Sequence, residues 1–292
     1  MLKIALPNKG RLADDTRELF TDAGLDVRMS GERALTASLG GEFQALFVRA
    51  QDIPEFVADG VADAGVTGWD LVCEAERPVE SRLDLGFGRC RLVVAAREES
   101  GIAGLADLAR LDGVPRVATV FPRLAGRFFA DAGRAVSIVP VSGAAEIAPH
   151  LGIADIIVDI TSSGSTLRVN GMREVVTVLE SSARLIAPTA TGDVWPAGKR
   201  RAFDELLMAL CSVLRARGQR YVMTNVPRAA LDRVKCVLPG LGGPTVIDLL
   251  NGGCHVAVHA VVPASGIYRT IAQLKELGGE GILVTRIERL MP

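Results

Sequence analysis

The sequence predicts an α/β protein of two lobes followed by a small βαββαβ domain. Three observations carry this. Over the first 187 residues, short apolar runs alternate with helix-length stretches, the pattern of strands covered by helices in largely parallel sheets. Two punctuating stretches interrupt the alternation: glycine-rich GFGRCR within Leu85–Arg91, and polar PTATGDVWPAGK at Pro188–Lys199. After Gly218 the order changes to strand, helix, strand, strand, helix, strand. The expected boundaries are 1–90 for lobe I, with 188–218 returning to it, 91–187 for lobe II, and 219–292 for the last domain.

In chain order, strands are expected at Lys3–Leu6, Ala45–Val48, Asp63–Val66, Leu92–Ala96, Arg116–Thr119, Ser137–Val141 and Asp155–Ile160. Helices are expected near Leu12–Ala23, Gln51–Asp59, Trp69–Glu74, Leu105–Arg110, Pro122–Ala132, Ala144–His150 and Ser165–Asn170. A long helix, Arg200–Arg217, repeats leucine at 206, 207, 210 and 214. The tail reads as strand Tyr221–Asn225, helix Arg228–Val234, strands Thr245–Leu249 and His255–Val262, helix Ala264–Leu277 and strand Glu280–Ile287. That order is the ferredoxin-like unit.

Composition narrows the function. Hydrophobic residues make up 49% of 292, enough for a sizeable core. The formal net charge is −1, so there is no global basic field to collect nucleic acid, and any phosphate site must be local. Five scattered cysteines (73, 90, 211, 236 and 254) form no CxxC pair and read as reduced thiols. MLKIALPNKG reads as no signal peptide, and no run of about 18 apolar residues would span a membrane. The expectation is a cytoplasmic protein.

The most informative stretch is DIIVDITSSGSTL, Asp155–Leu167. Side chains alternate along a strand, so Asp155 and Asp159 share a face about 13 Å apart and do not clamp one ion together. Each meets a different part of a ligand, or Asp155 merely starts the strand. Thr161, Ser162, Ser163, Gly164, Ser165 and Thr166 then bring small residues to a helix start. Unpaired amides there, with hydroxyls beside them, can cradle a phosphate; an ordinary capped helix is the other reading. The loop is neither a Walker A sequence nor GxGxxG.

Two further strand ends repeat the device. Asn8-Lys9-Gly10-Arg11 closes the first strand, with Lys9 a point charge and Arg11 a bidentate fork for diphosphate oxygens, or else a solvated basic turn. DAGVTGWD, Asp63–Asp70, offers backbone at Thr67 and Gly68, and Asp70 lies in the first helical turn. Arg49 ends another strand. Thr119 and Arg123 flank a helix start at Pro122. No histidine occurs before His150, which disfavours a histidine-based hydrolase. Cys254, His255 and His259 are close in sequence, but on a strand they point apart, which argues against zinc.

Asp-x-x-x-Asp followed by a small-residue loop resembles the diphosphate-sugar loop of phosphoribosyltransferases. MLKIALPNKGRL at the start, GVADAGVTGWDLV at 60–72 and VDITSSGSTLRVNGMREV at 158–175 together resemble the long form of the ATP phosphoribosyltransferases, the first enzymes of histidine biosynthesis. The resemblance covers essentially the whole chain. It implies a transfer in which N1 of ATP's adenine attacks C1 of 5-phosphoribosyl 1-diphosphate and diphosphate leaves, with Mg²⁺ as cofactor. N1 has a free lone pair, so in-line positioning and charge stabilisation are needed more than a base.

On this resemblance Lys9, Arg11 and Asp70 are the catalytic candidates. Arg49, Thr67, Gly68, Thr119, Glu146, Asp155, Asp159 and the loop Thr161–Thr166 are the substrate-binding candidates. Which residues touch the metal is left unknown. Glycine-rich Pro239–Thr245 can take a small ligand at a subunit or sheet edge, and Asn225, Thr245 and Thr285 are the candidate polar contacts by their position at loop and strand ends; the tail resembles a histidine-binding regulatory domain, which implies L-histidine as the ligand and feedback inhibitor. The resemblance also implies a homo-oligomer, from dimer to hexamer.

Gln51 departs from relatives, which tend to carry charge there. Few rings exist to stack adenine. Trp69 is the obvious one near the site, but aliphatic side chains and backbone amides are expected to hold the base. Two alternatives stand beside this reading: a ligand-binding module, because a two-lobed core resembles periplasmic-type binding proteins, and a phosphoribosyltransferase acting on another base.

Overall fold

The structure is a computed structural model describing residues 1–26, 35–189, 195–250 and 253–291. Most of the expected polar insert at 188–199 therefore lies outside the described residues. The chain divides into one compact unit of residues 1–21 and 25–204 and a second of 22–24 and 205–292, the boundary falling inside the helix Ala197–Ala216.

The first unit holds two sheets, the two expected lobes. Among the described residues its strands are β1 (Leu2–Pro7), β2 (Thr36–Ser38), β3 (Phe43–Val48), β4 (Ala64–Gly68), β5 (Val79–Asp84), β6 (Cys90–Arg97), β7 (Arg116–Thr119), β8 (Ser137–Pro140), β9 (Ile156–Thr161), β10 (Met172–Ser181) and β11 (Ala183–Pro188). The first sheet runs β2-β3-β1-β4-β11-β5 and the second β10-β6-β9-β7-β8. Only β1 with β3 and β4, and β7 with β8 and β9, are parallel pairs; the others in these sheets are antiparallel. The expectation of largely parallel sheets is thus corrected to mixed ones. The antiparallel partners β5, β10 and β11 come from stretches that sequence periodicity left unassigned.

Burial explains the central strands. Every residue of β4 is buried, and β6 alternates its apolar residues between two cores. Leu92, Val94 and Ala96 pack with Ile156, Val158 and Phe129; Val93 and Ala95 pack with Ile157, Ala145 and Leu167 on the other face. The period of two puts Asp159 on the second face, beyond Ile157. Helix α1 (Ala13–Asp22) buries Leu19 and Phe20. Helices α2 (Ile53–Ala58) and α3 (Trp69–Ala75) cover the first sheet with Ile53, Val57 and Val72. Helix α4 (Pro122–Asp131) covers the second with Leu124, Ala125 and Phe129. The short helix α5 (Ser165–Val169) follows β9. Between Ala144 and His150 the structure has only a single 3₁₀ turn, Ala145–Ile147, where a helix was expected.

The chain passes from first sheet to second through Leu85–Arg89, within the glycine-rich junction. It returns between Ser181 and Ser182, so strand 183–188 belongs to the first sheet. The expected lobe II limit at 187 is therefore too late. MREVVTVLESSARLIAP is one nearly continuous extended run, and nothing local marks where it changes sheets.

The second unit contains most of helix α6 (Ala197–Ala216), then β12 (Gln219–Pro227), α7 (Leu231–Val237), β13 (Thr245–Asp248), β14 (His255–Pro263), α8 (Ile267–Glu276) and β15 (Glu280–Arg286). Its sheet, ordered β13-β14-β12-β15, is wholly antiparallel, which is the expected ferredoxin-like arrangement. Val222, Val226, Val256, Val258 and Val262 bury against Val234 and Leu274 of the two helices. The opposite face carries Tyr221, Asn225, His259, Ile247 and Leu283, of which Ile247 is 49% and Leu283 53% exposed.

Candidate active site

The loop after β9 is built on Gly164, which has φ +73° and is buried. Its N–H donates to Thr161 Oγ1 at 2.9 Å, closing the turn, and a Cβ there would lie 2.8 Å from Glu174 Oε1. Ser163 and Ser165 share a hydroxyl–hydroxyl bond of 2.9 Å. The Gly164 amide is thus spent inside the loop. The Ser165 N–H donates to Ser163 Oγ at 3.4 Å, so the first-turn amides of Thr166 and Leu167, which have no carbonyl of their own helix to bond, are the ones that stay available.

This loop lines a cavity of about 320 Å³ with Cys90, Glu146, Asp159, Ile160, Thr161, Ser162, Ser163, Ser165, Thr166 and Leu167. Of the expected binding residues, the structure therefore brings Glu146 and Asp159 together with every residue of the loop except the buried Gly164. Burial, reinforced by the Glu146 charge, raises the Asp159 carboxyl above its ordinary value, against a 2.7 Å bond from the Ile160 N–H. A second cavity of about 350 Å³ shares Cys90 and Ser162 with the first and adds Asp84, Arg89, Arg91, Glu180, Ser181, Ser182 and Arg184. The arginines at 89, 91 and 184 were missed from the sequence. GFGRCR, the glycine-rich junction, carries two of them and is the sequence signal for their place in the cleft.

Arg11 reaches the wall of this cleft. One guanidinium nitrogen donates to Gly88 O and another lies 3.7 Å from Asp70 Oδ1, which sets the positive charge beside Cys90. Asp70 itself is 1% exposed. It accepts from Ser181 Oγ at 2.5 Å, and its own N–H donates back to that oxygen at 3.0 Å. It is a buttress holding Arg11 against the interlobe crossings rather than a ligand contact. Burial, then the Asp70 charge, push the Cys90 thiol up, so it stays neutral.

Several expected contacts are placed elsewhere. Asp155 lies at the far end of β9 from the loop, where Arg116 pairs with it at 2.9 Å and also donates its backbone N–H at 2.8 Å. The bond from Arg116 holds the Asp155 carboxyl below its ordinary value. This is the strand-start role. Thr119 is buried, its hydroxyl donating to Val158 O at 2.6 Å and accepting from the Phe121 N–H. Thr67 is buried and donates to Ala50 O, while Gly68 caps α3 at a position where a Cβ would collide with Asp70 Oδ1. Arg123 donates one terminal guanidinium nitrogen to the carbonyls of Glu74 and Ala75, and it lines neither of these two cavities. Trp69 packs into the first-sheet core under the Arg184 guanidinium, so it stacks no base.

Lys9 and Arg49 are exposed and without a partner among the described residues, and neither lines these two cavities. A third cavity of about 500 Å³ lies at the carboxyl ends of β7 and β8, facing α3, and is lined by Gln51, Asp52, Leu71, Val120, Phe121 and Val141 among others. It is mixed apolar and polar, with a single aromatic side chain. Among the described residues, no group of three or more His, Cys, Asp or Glu could hold a metal.

In the second unit, Asn225, Thr245 and Thr285 fall on the open sheet face. Thr245 stands opposite His259, Asn225 opposite Ala257, and Thr285 opposite Tyr221. Tyr221 and His259 are hydrogen-bonded and meet edge to face, 5.7 Å between centroids. Gly240 and Gly243, both at positive φ, fold the Pro239–Thr245 loop back on itself.

Two lobes with a polar cleft at strand carboxyl ends, a small-residue loop and two acids define an α/β enzyme core of the periplasmic-binding-protein-like class. Residues 49–211 match the family ATP phosphoribosyltransferase, and residues 216–289 match its C-terminal domain. An ATP phosphoribosyltransferase of Gemmatimonas aurantiaca is 70% identical over the full length of both chains, and one of Halobacterium salinarum is 50% identical over 99% of this chain and all of its own. Among solved structures, the chain resembles an ATP phosphoribosyl transferase (HisG:HisZ) complex from Thermotoga maritima, at TM-score 0.64 and 27% identity, over 74% of this chain and 99% of that one. The chain belongs to the ATP phosphoribosyltransferase family and is a transferase with that family's C-terminal domain.

Proposed function

We propose that this protein condenses ATP with 5-phosphoribosyl 1-diphosphate to N1-(5-phosphoribosyl)-ATP and diphosphate, opening histidine biosynthesis. The observation that carries this is the cavity where the Thr161–Thr166 loop meets Asp159 and Glu146. The loop's free amides and hydroxyls take the ribose 5-phosphate, and the two acids face the ribose hydroxyls. The adenine nitrogen brings its own lone pair, so the chain's task is to align it with the leaving group. Arg11, braced by Asp70 and Gly88, meets charge that develops on diphosphate, with Lys9 and Arg49 as further cations. The apolar lining of the third cavity, Leu71, Val120, Phe121 and Val141, suits the purine.

The donor set fits Mg²⁺ delivered with the diphosphate, because this ion is commonly held by one or two carboxylates plus substrate phosphates. Asp159 and Glu146 are the carboxylates that would hold it. When bound, Mg²⁺ neutralises charge on the departing diphosphate.

We further propose that L-histidine binds the open face of the last domain through Asn225, Thr245 and Thr285 and inhibits by favouring an inactive state. The apolar exposure of that face supports a homo-oligomer, and we propose a dimer-to-hexamer assembly acting in the cytoplasm. No helix among the described residues is long and apolar enough to cross a membrane.

The test mixes purified protein with ATP, phosphoribosyl diphosphate and Mg²⁺ and follows the ultraviolet change as N1 is alkylated, with and without L-histidine. Adduct formation that histidine suppresses is the expected result. Adduct without histidine sensitivity removes the regulatory reading. No adduct from folded protein that still binds small ligands favours the binding module instead.

A further inference from the structure

Glu174 lies beneath the small-residue loop, an acid where an anion is to be bound. It occupies the space a Cβ on Gly164 would need, with Oε1 2.8 Å from that position. Its two oxygens accept from both terminal nitrogens of Arg91, at 2.6 and 3.0 Å. That pairing is not the one strand register offers. Directly across from Arg91 on β10 stands Glu180, whereas Glu174 stands across from Ala95, four residues along β6. Arg91 thus passes over its nearest acid and reaches along the strand to the one under the loop. Arg168 completes the arrangement, donating to Ser163 O at 3.3 Å from beside the same Gly164 position.

A guanidinium has five N–H donors. Glu174 uses two of Arg91's, leaving three unspent by that pair on a side chain that lines a cavity together with Ser162. A bidentate pair fixes the plane of the fork as well as its position.

We propose that Glu174 is a positioning residue for the phosphoribosyl diphosphate site: it orients Arg91 toward the cleft and supports the turn at Gly164. This rests on the proposed reaction for the choice of ligand. It makes a prediction opposite in sign to simple charge. Removing a negative charge beneath an anion site should tighten anion binding if charge alone matters. If Glu174 acts through Arg91 and the loop, the same change loosens it.

The experiment compares wild type, E174Q, R91K and the double variant. KM and kcat are measured for both substrates, and phosphoribosyl diphosphate affinity is measured separately by calorimetry with Mg²⁺. E174Q keeps the volume but removes the charge and replaces one of the two acceptor oxygens with an NH2 donor. We expect it to weaken phosphoribosyl diphosphate binding roughly tenfold, with KM for ATP within about twofold of wild type. R91K keeps the charge without the fork and should do the same. The double variant should be no worse than the worse single one, because the two residues act as a unit.

Unchanged or tighter phosphoribosyl diphosphate binding by E174Q overturns the proposal, as does equal weakening toward both substrates. If E174Q does not fold, E174D, which keeps the charge but is one methylene shorter and so pulls back from the Arg91 fork, decides by the same criteria. Wild type that binds phosphoribosyl diphosphate but forms no adduct sinks the proposed reaction, and the calorimetric comparison still judges Glu174. Wild type that does not bind it sinks both.

Discussion

At Gly164 two constraints coincide: a left-handed backbone and a carboxylate oxygen where a side chain would begin. Alanine there should cost about 1–3 kcal/mol of stability, readable by urea denaturation, and should raise KM for phosphoribosyl diphosphate more than KM for ATP. Asp155 offers the contrast, a conspicuous acid whose role is structural. Asp155→Asn should leave kcat/KM within about twofold while costing about 1 kcal/mol near neutral pH, a modest value because the ion pair is partly exposed. Its native carboxyl titrates below the ordinary value, so its contribution is present above the unfolded value of about 3.9 and is lost as pH falls through the depressed native one. The stability gap between wild type and variant should therefore close on acidification, and a gap that persists at low pH refutes the assignment. Asp159 is shifted the other way by burial and Glu146. If its ionised form serves the substrate, the acid limb of kcat/KM should lie above about 3.9 and change in Asp159→Asn.

Among elements, α3 and α4 show how the lobes are joined. Pro122 opens α4 and has no N–H to satisfy; the next two amides, of Arg123 and Leu124, donate to Glu74 from α3 at 3.0 and 2.9 Å. Arg123 returns the contact to carbonyls of α3, and Arg127 pairs with Glu76 at 3.1 Å. A helix of one lobe is thus capped by a side chain of the other. Glu74→Ala should cost about 1–2 kcal/mol and speed hydrogen exchange at the amides of Arg123 and Leu124. Protection unchanged at those two amides would show that the cap contributes nothing. Helix α3 also carries Asp70 at its opposite end, tied to Ser181 at the interlobe return. One seven-residue helix therefore meets both the crossing and the facing lobe.

For the molecule as a whole, the proposed regulation needs the last domain to bind L-histidine better in one state than in another. The ratio of rates with and without L-histidine measures this. Asn225→Leu should bring that ratio close to one, since it removes the amide from the open face. Inhibition that survives the change would move the ligand off that face, toward the Pro239–Thr245 loop. A ligand that raises thermal stability without lowering the rate would bind without discriminating between states, and the regulatory reading would fail.

Strand–helix alternation and the βαββαβ order made the two-lobed core and its last domain legible in the sequence, because burial imposes periods of 2 and 3.6 on local stretches. Thr161–Thr166 was legible for a similar reason: small residues and a glycine between strand and helix restrict what the backbone can do. The direction of the strands was not, since β10 and β11 are one extended run whose partners lie far away in the chain. Nor was the fate of individual polar side chains. Asp155, Thr119 and Thr67 carry the right chemistry for a ligand, and each is bonded within the protein by a residue 17 to 39 positions away. Arg91 was read as a junction residue and lines the cleft. The sequence by itself determined most of the helices, the strands with clear apolar periods, the glycine turn and the family. Only the tertiary structure decided which charges face the cleft, because a side chain's free donors are those its distant neighbours leave unused.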